Sequence, residues 1–308
     1  MEGKAMEKSK TMTWRDFKRE LVEPALNGLG YAVYLIRKNT LTRVGTIVVI
    51  LLVLVGIFAP MLAPFPDQAE GTAHPATKLL PPGPGHWMGT DELGRDLLSR
   101  VIYGTRISLE IGVLAVGLSL LIGVPLGLVA GYRGGWTDEM IMRITDVFLS
   151  FPPLLLAIAI AAFLGPSLTN AMIAIALSWW PWYTRIARSQ AMAVRERPFV
   201  EAAQTIGTAH SRIVMVHILP NSLAPIIVQA SMDFGSTVLT AASLSFLGLG
   251  AQPPTPEWGL MLSTSRNYFF TAWWYGLFPG ISIFVTVLVF NLLGDGLREI
   301  LDPKARRA

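Results

Sequence analysis

Four carboxylates lie within or beside long apolar runs of this 308-residue chain: Glu110, Asp146, Asp233 and Asp295. A charged side chain at the centre of a bilayer costs at least about 2.5–3.5 kcal/mol on insertion scales, so each is expected to have a partner or a task. Three of the four fall close to the end of a run, where water is near. Asp233 lies about halfway along its run and is the candidate for a residue of a translocation path. Small residues follow it, among them Gly235, Ser236, Thr237, Thr240 and Ala241. They suit a helix inside a bundle, and plain packing accounts for them equally well.

Little else points to chemistry. The absence of cysteine excludes disulfides, thiolate catalysis and Cys-based metal sites. There is no G-x-x-x-x-G-K-[S/T] phosphate loop, so any ATP that powers the protein is bound by another chain. The four histidines, His74, His86, His210 and His217, are too scattered for a metal site. His210 and His217 can share a helix face, but loop histidines are more often polar surface residues. The apolar runs contain serines but no histidine, which leaves an intramembrane serine hydrolase without its base. No catalytic residue, metal site or cofactor is assigned.

One polar island stands out. Pro198 can open a short helix, since its missing N–H costs nothing in the first turn. Glu201, Ala202, Ala203, Gln204 and Ile206 propagate it, and Gly207 can end it in the left-handed cap conformation. A second short helix is expected from Ser211, as N-cap, to Leu219 and Pro220. Two short helices hinged at a glycine make a docking surface, with Glu201 as its charged contact and Ala202 and Ala203 permitting close approach. An ordinary solvated basic loop is the alternative, but it needs neither the alanine pair nor the glycine and proline at those offsets.

The elements that must hold these residues are apolar helices. The chain is 52% hydrophobic and 15% charged, with mean hydropathy +0.49; soluble domains carry nearer a quarter charged residues. Six spans are expected, at about 44–63, 107–131, 145–164, 168–187, 222–247 and 277–297. The fourth is kinked and interfacial in character at Trp179-Trp180-Pro181-Trp182. With both termini inside, 20 of the 25 Lys and Arg residues fall on inner segments, which fixes the orientation and puts the Glu201 loop in the cytoplasm. The basic segment 1–43 precedes the first span, with no cleavable signal apparent, and 302–308 form an inner tail. The net charge of +4 is explained by this asymmetry, and nucleic acid is not implied. No repeat period of 20–50 residues is found, so the chain is one all-α polytopic domain, 107–301, behind an anchor helix.

Two outer segments are long. Residues 64–106 begin as a Pro- and Gly-rich strap and end in an amphipathic surface helix capped by Thr90 or Asp91, with Leu97, Leu98, Val101 and Ile102 on one face. Residues 248–276 carry Trp258, Tyr268, Trp273, Trp274 and Tyr275, which fit an interfacial belt.

The polar island resembles the EAA loop of ABC importer permeases: E-A-A, three residues, G, nine residues, a hydrophobic residue, then x-L-P, with His217 where that family usually carries an aliphatic residue. Beyond it, Gly89-Thr90-Asp91-Glu92-Leu93-Gly94-Arg95-Asp96, Leu244-Ser245-Phe246-Leu247-Gly248-Leu249-Gly250, Pro253-Pro254-Thr255-Pro256-Glu257-Trp258-Gly259 and Asp302-Pro303 resemble the C-type permease subunit of dipeptide/oligopeptide importers. The resemblance covers most of residues 85–303. It implies the helix bundle of a type I importer permease in the cell (plasma or inner) membrane. It further implies a second homologous permease, one or two cytoplasmic ATP-binding subunits, an extracytoplasmic solute-binding protein and surrounding lipid. The coupling loop, 188–221, would dock on the ATPases through Glu201, Ala202, Ala203, Gly207, Leu219 and Pro220. Relatives of this kind import peptides, nickel or oligosaccharides, and the motifs do not choose between them. A self-contained secondary transporter is the remaining alternative; it would show internal repeats and intramembrane coupling groups, and neither is clear here.

Overall fold

The computed structural model describes residues 39–301; the basic segment as far as residue 38 and the tail from residue 302, with Asp302-Pro303, lie outside the described residues. Helix α1 (Thr40–Ile57) begins where the Asn39 side chain accepts hydrogen bonds from the backbone N–H groups of Leu41 and Thr42. It starts and stops earlier than the hydropathy pattern predicts, because Asn39 caps it and Pro60 opens a separate turn, Ala59–Leu62.

The expected surface helix does not exist as a separate element. Helix α2 (Leu97–Arg133) runs unbroken for 37 residues, so the amphipathic stretch and the second span are one rod of roughly 56 Å. Its cap is Asp96, which accepts from the Ser99 N–H, rather than Thr90 or Asp91. Leu97 and Val101 are buried against protein, in a cluster with Val238, Met261, Trp274 and Tyr275, and not laid on a membrane surface.

The third expected span is broken. Helices α3 (Gly135–Leu149) and α4 (Pro153–Leu164) meet at 87°, because consecutive prolines at 152 and 153 cannot continue α3 and instead open α4. The expected fourth span is the 28-residue helix α5 (Leu168–Arg195), capped by Ser167 and continuous through Pro181. Among the described residues four helices are long and apolar enough to cross a membrane, five if α3 and α4 count as one bent span; α5 is long enough but too polar. Burial in protein explains the deficit. Gly123, Gly127 and Gly131 of α2, one turn apart, let the backbones of α2 and α5 touch. A methyl group at any of the three would come within 2.4 Å of a carbonyl oxygen, of Trp180, Thr184 or Arg188 respectively. Thr184 Oγ1 also donates to the Gly123 carbonyl at 3.1 Å.

A short helix, α6 (Pro198–Thr205), follows α5. A helical turn (His210–Arg212) and a π-helical turn (Ile213–Ile218) then lead straight into α7 (Leu219–Phe246). Helix α8 (Trp258–Ser265) packs across α7, and α9 (Trp273–Leu301) closes the bundle against α7 and α1. The aromatic segment is not mainly an interfacial belt: Trp258, Trp274 and Tyr275 are buried, and the two indole N–H groups donate to the Val101 and Thr90 carbonyls. Trp273 alone of the three tryptophans is exposed. Apolar side chains such as Val113, Leu121, Leu155, Phe163 and Phe284 point outward, as a helix bundle in lipid requires.

Candidate functional site

The polar island is helix α6 and the turns that follow it, at what we term the loop end of the bundle. Pro198 occupies the first turn of α6, as expected. One face turns inward: Val200 and Ala203 join a core with Tyr132 of α2, Ala187 and Val194 of α5, and Ile213 and Ile218 of the π turn. The other face leaves Glu201, Ala202, Gln204 and Thr205 exposed. The alanine pair is therefore split, with Ala202 available for contact and Ala203 used to seat α6 on the bundle. Gly207 has φ +77°, its N–H donates to the Gln204 carbonyl, and Thr208 N–H reaches back to Ala203. Among the described residues nothing lies within 4 Å of where a Gly207 Cβ would stand, so the glycine serves its backbone and not space.

The second arm differs from expectation. Ser211 does not cap it, and it does not stop at Pro220. Leu219 and Pro220 fall in the first turn of α7, where a proline is tolerated. The arm is thus the root of a 28-residue helix, entered from the π-helical turn without a break. Phe199 and Ile206 are exposed on α6 and its C-cap along with Glu201, and Met215 and Val216 are exposed on the π-helical turn. His217 lies beside Phe199, with ring centroids 6.2 Å apart.

This platform is pinned from below. Tyr132 and His210 share a hydrogen bond of 2.7 Å between the phenol oxygen and Nδ1. Arg195 donates to the Gly131 and Tyr132 carbonyls at the end of α2, as a cation at a helix C-terminus should. Arg188 forks onto Asp138 of α3 at 2.5 and 2.6 Å, half-buried, and Arg185 meets Asp146 at 2.6 Å in the open. His210 bonds Tyr132 whereas His217 lies beside Phe199, and no group of three metal-capable side chains occurs among the described residues.

Asp233 is remote from this loop, buried in the middle of α7. Its Oδ1 accepts from Gln229 Nε2 at 2.9 Å, and Tyr183 of α5 faces it. Sequence reasoning missed both neighbours. Gln229 was discoverable, standing one turn before Asp233, whereas Tyr183 is brought in by the tertiary fold alone. Glu110 and Asp295 are exposed.

At the opposite, strap end, the charges are internal. Asp91 is fully buried; its Oδ1 accepts from the N–H groups of Leu93 and Arg95, and its Oδ2 pairs with Arg95 at 2.7 Å and Arg100 at 3.4 Å. Arg100 also reaches the Pro254 and Thr255 carbonyls, and Tyr275 donates to Glu92. His86 meets Asp96 at 2.8 Å. Glu257 caps α8 by accepting from the Gly259 and Leu260 N–H groups, and burial pushes its carboxyl above the usual carboxylate range. These motif residues tie the strap, α2, α8 and α9 into one block.

The helix bundle has known relatives. The model for binding-protein-dependent transport system inner membrane components matches residues 123–307, and that for the N-terminal TM domain of oligopeptide transport permease C matches residues 30–82. The chain belongs to this family of inner-membrane transport permeases, in its C-type dipeptide/oligopeptide branch. It is 51% identical over 271 residues, 88% of each chain, to the dipeptide transport system permease protein DppC of Alkalihalophilus pseudofirmus. It is 48% identical to the probable D,D-dipeptide transport system permease protein DdpC of Escherichia coli, over 89% of this chain and 91% of that one. The glutathione transport system permease protein GsiD of Pectobacterium atrosepticum is 41% identical over 97% of this chain and 94% of its own. Among solved structures, a chain of the inward-facing MetNI methionine ABC transporter shares the fold at TM-score 0.54 and 17% identity, over 67% of this chain and 98% of that one.

Proposed function

We propose that this permease subunit forms half of the translocation path of an ATP-driven importer of di- or oligopeptides, and that it is driven from its loop end by ATPase subunits that hydrolyse the ATP. The observation that carries this is the α6–Gly207–α7 element: an exposed acid in an apolar patch, on a helix seated by Ala203 and continuous with a spanning helix. Such a patch fits a shallow groove on a partner, where shape and buried apolar area give most of the affinity and a rim charge adds about 1 kcal/mol or less. In this account Glu201, Ala202, Gly207 and Pro220 meet the ATPase, while Ala203 and Leu219 transmit the displacement. Closure of the ATPase pair then tips α7, and nucleotide binding favours one of two access states.

The loop end is cytoplasmic in this account, both termini lie inside, and the strap end faces the solute-binding protein. A second, homologous permease supplies the other half of the path, and one or two kinds of ATPase serve the pair. Peptide is preferred over nickel or oligosaccharide because the relatives named above carry dipeptides or glutathione in their names. To test this, the chain is captured from gently solubilised membranes by a C-terminal tag, its companions are identified by mass spectrometry, and the complex is assayed for ATP-dependent dipeptide uptake in vesicles. A second permease, ATPases with phosphate loops and uptake are expected. Recovery of the chain alone, with uptake driven by an ion gradient, would instead establish a self-contained transporter.

A further inference from the structure

A cleft of about 520 Å³ opens between α5, α7 and α9 toward the loop end, lined by Ile186, Gln190, Gln229, Met232 and Arg298 among others. Arg298 is exposed there. At the inner end Gln229 holds Asp233, and four buried polar atoms of α5 and α7 find no hydrogen-bond partner among the described residues: Trp179 Nε1, Tyr183 OH, Asp233 Oδ2 and Thr237 Oγ1. Trp179 and Tyr183 stand one turn apart on α5, Asp233 and Thr237 one turn apart on α7, and Tyr183 faces Asp233. Each unsatisfied buried group costs about 1–3 kcal/mol, so packing alone does not explain such a set.

We propose that this cleft is a binding station for a short zwitterionic peptide in transit, with Asp233 taking its ammonium end and Arg298 its carboxylate end. The proposal rests on the peptide-import function above. An ammonium group offers donors only, and the Asp233 carboxylate with the Tyr183 and Thr237 hydroxyl oxygens offers acceptors. A guanidinium forks onto a carboxylate in plane. The cleft volume falls in the range of small-molecule sites, about 300–1,000 Å³. Gln229 stands between cleft and acid, so its amide must rotate off Asp233 to admit the peptide. Two opposite charges also discriminate: a metal ion would leave Asp233 satisfied and Arg298 repelled, and an uncharged sugar would satisfy neither.

Because the chain has no cysteine, Met232→Cys puts this subunit's only thiol in the cleft. With the whole complex in nanodiscs, labelling of that thiol by N-ethylmaleimide is timed with dialanine and with its doubly blocked form, N-acetyl-dialanine amide. Dialanine should slow labelling about tenfold at roughly tenfold excess over its dissociation constant, and the blocked peptide should not. Adding Asp233→Asn or Arg298→Gln should abolish protection while the thiol stays reactive. Equal protection by the blocked peptide, no protection by dialanine, protection surviving both substitutions, or a thiol unreactive with and without nucleotide would each overturn the proposal. Loss of the import function itself shows separately, as absence of ATP-dependent dialanine uptake by the parent complex.

Discussion

The two ends of this bundle treat charge in opposite ways. At the strap end Asp91, Arg95, Arg100 and Glu257 are buried and paired or capped within the chain. At the loop end Glu201 is exposed, as are Phe199, Ile206 and Met215, and nothing within the described chain covers them. A buried ion network specifies a rigid block, since removing one member strands the others. An exposed apolar patch with a rim charge is the dress of an interface. At the strap end the chain pairs these charges itself, and at the loop end the exposed acid is proposed to meet a partner.

This contrast can be broken by substitution. The largest effect is expected at Asp91→Ala, which leaves Arg95 and Arg100 without their shared buried carboxylate. A loss of about 3–5 kcal/mol should follow, seen as a collapse of the melting temperature of the purified complex. Next, Gly127→Val drives a side chain into the Thr184 carbonyl and should cost about 1–3 kcal/mol or more, measured the same way. Gly207→Ala meets no neighbour and pays only for φ +77°, about 1 kcal/mol. Its melting shift should be small, and its ATPase association should weaken disproportionately, because the angle between α6 and the π turn is set there.

Much of this was legible in the sequence, for local reasons. Pro198 and Gly207 act through backbone geometry that no distant contact overrides, so α6 falls where its residues require. The apolar runs marked α1, α7 and α9 because lipid-facing residues dominate them. Elsewhere tertiary packing prevailed. Helix α5 hides its polar residues against the glycine face of α2, so hydropathy understates it. The 87° break at Pro152-Pro153 sits inside an apolar run where composition does not change. Pro220 was ambiguous by nature: a proline ends one helix or opens the next, and here it opens α7. Likewise the cap expected at Thr90 or Asp91 falls at Asp96, and the fold buries Asp91 as an ion-pair hub.

The most direct test of the contrast is Glu201→Lys, assayed for melting, for ATPase co-purification and for ATP-dependent uptake. Glu201 is exposed and in no ion pair among the described residues but lies in the first turn of α6. Reversing its charge should therefore cost no more than about 1 kcal/mol through the helix dipole, while association and uptake fall together. Unchanged association and uptake would contradict the claim that the loop end is where the permease is driven.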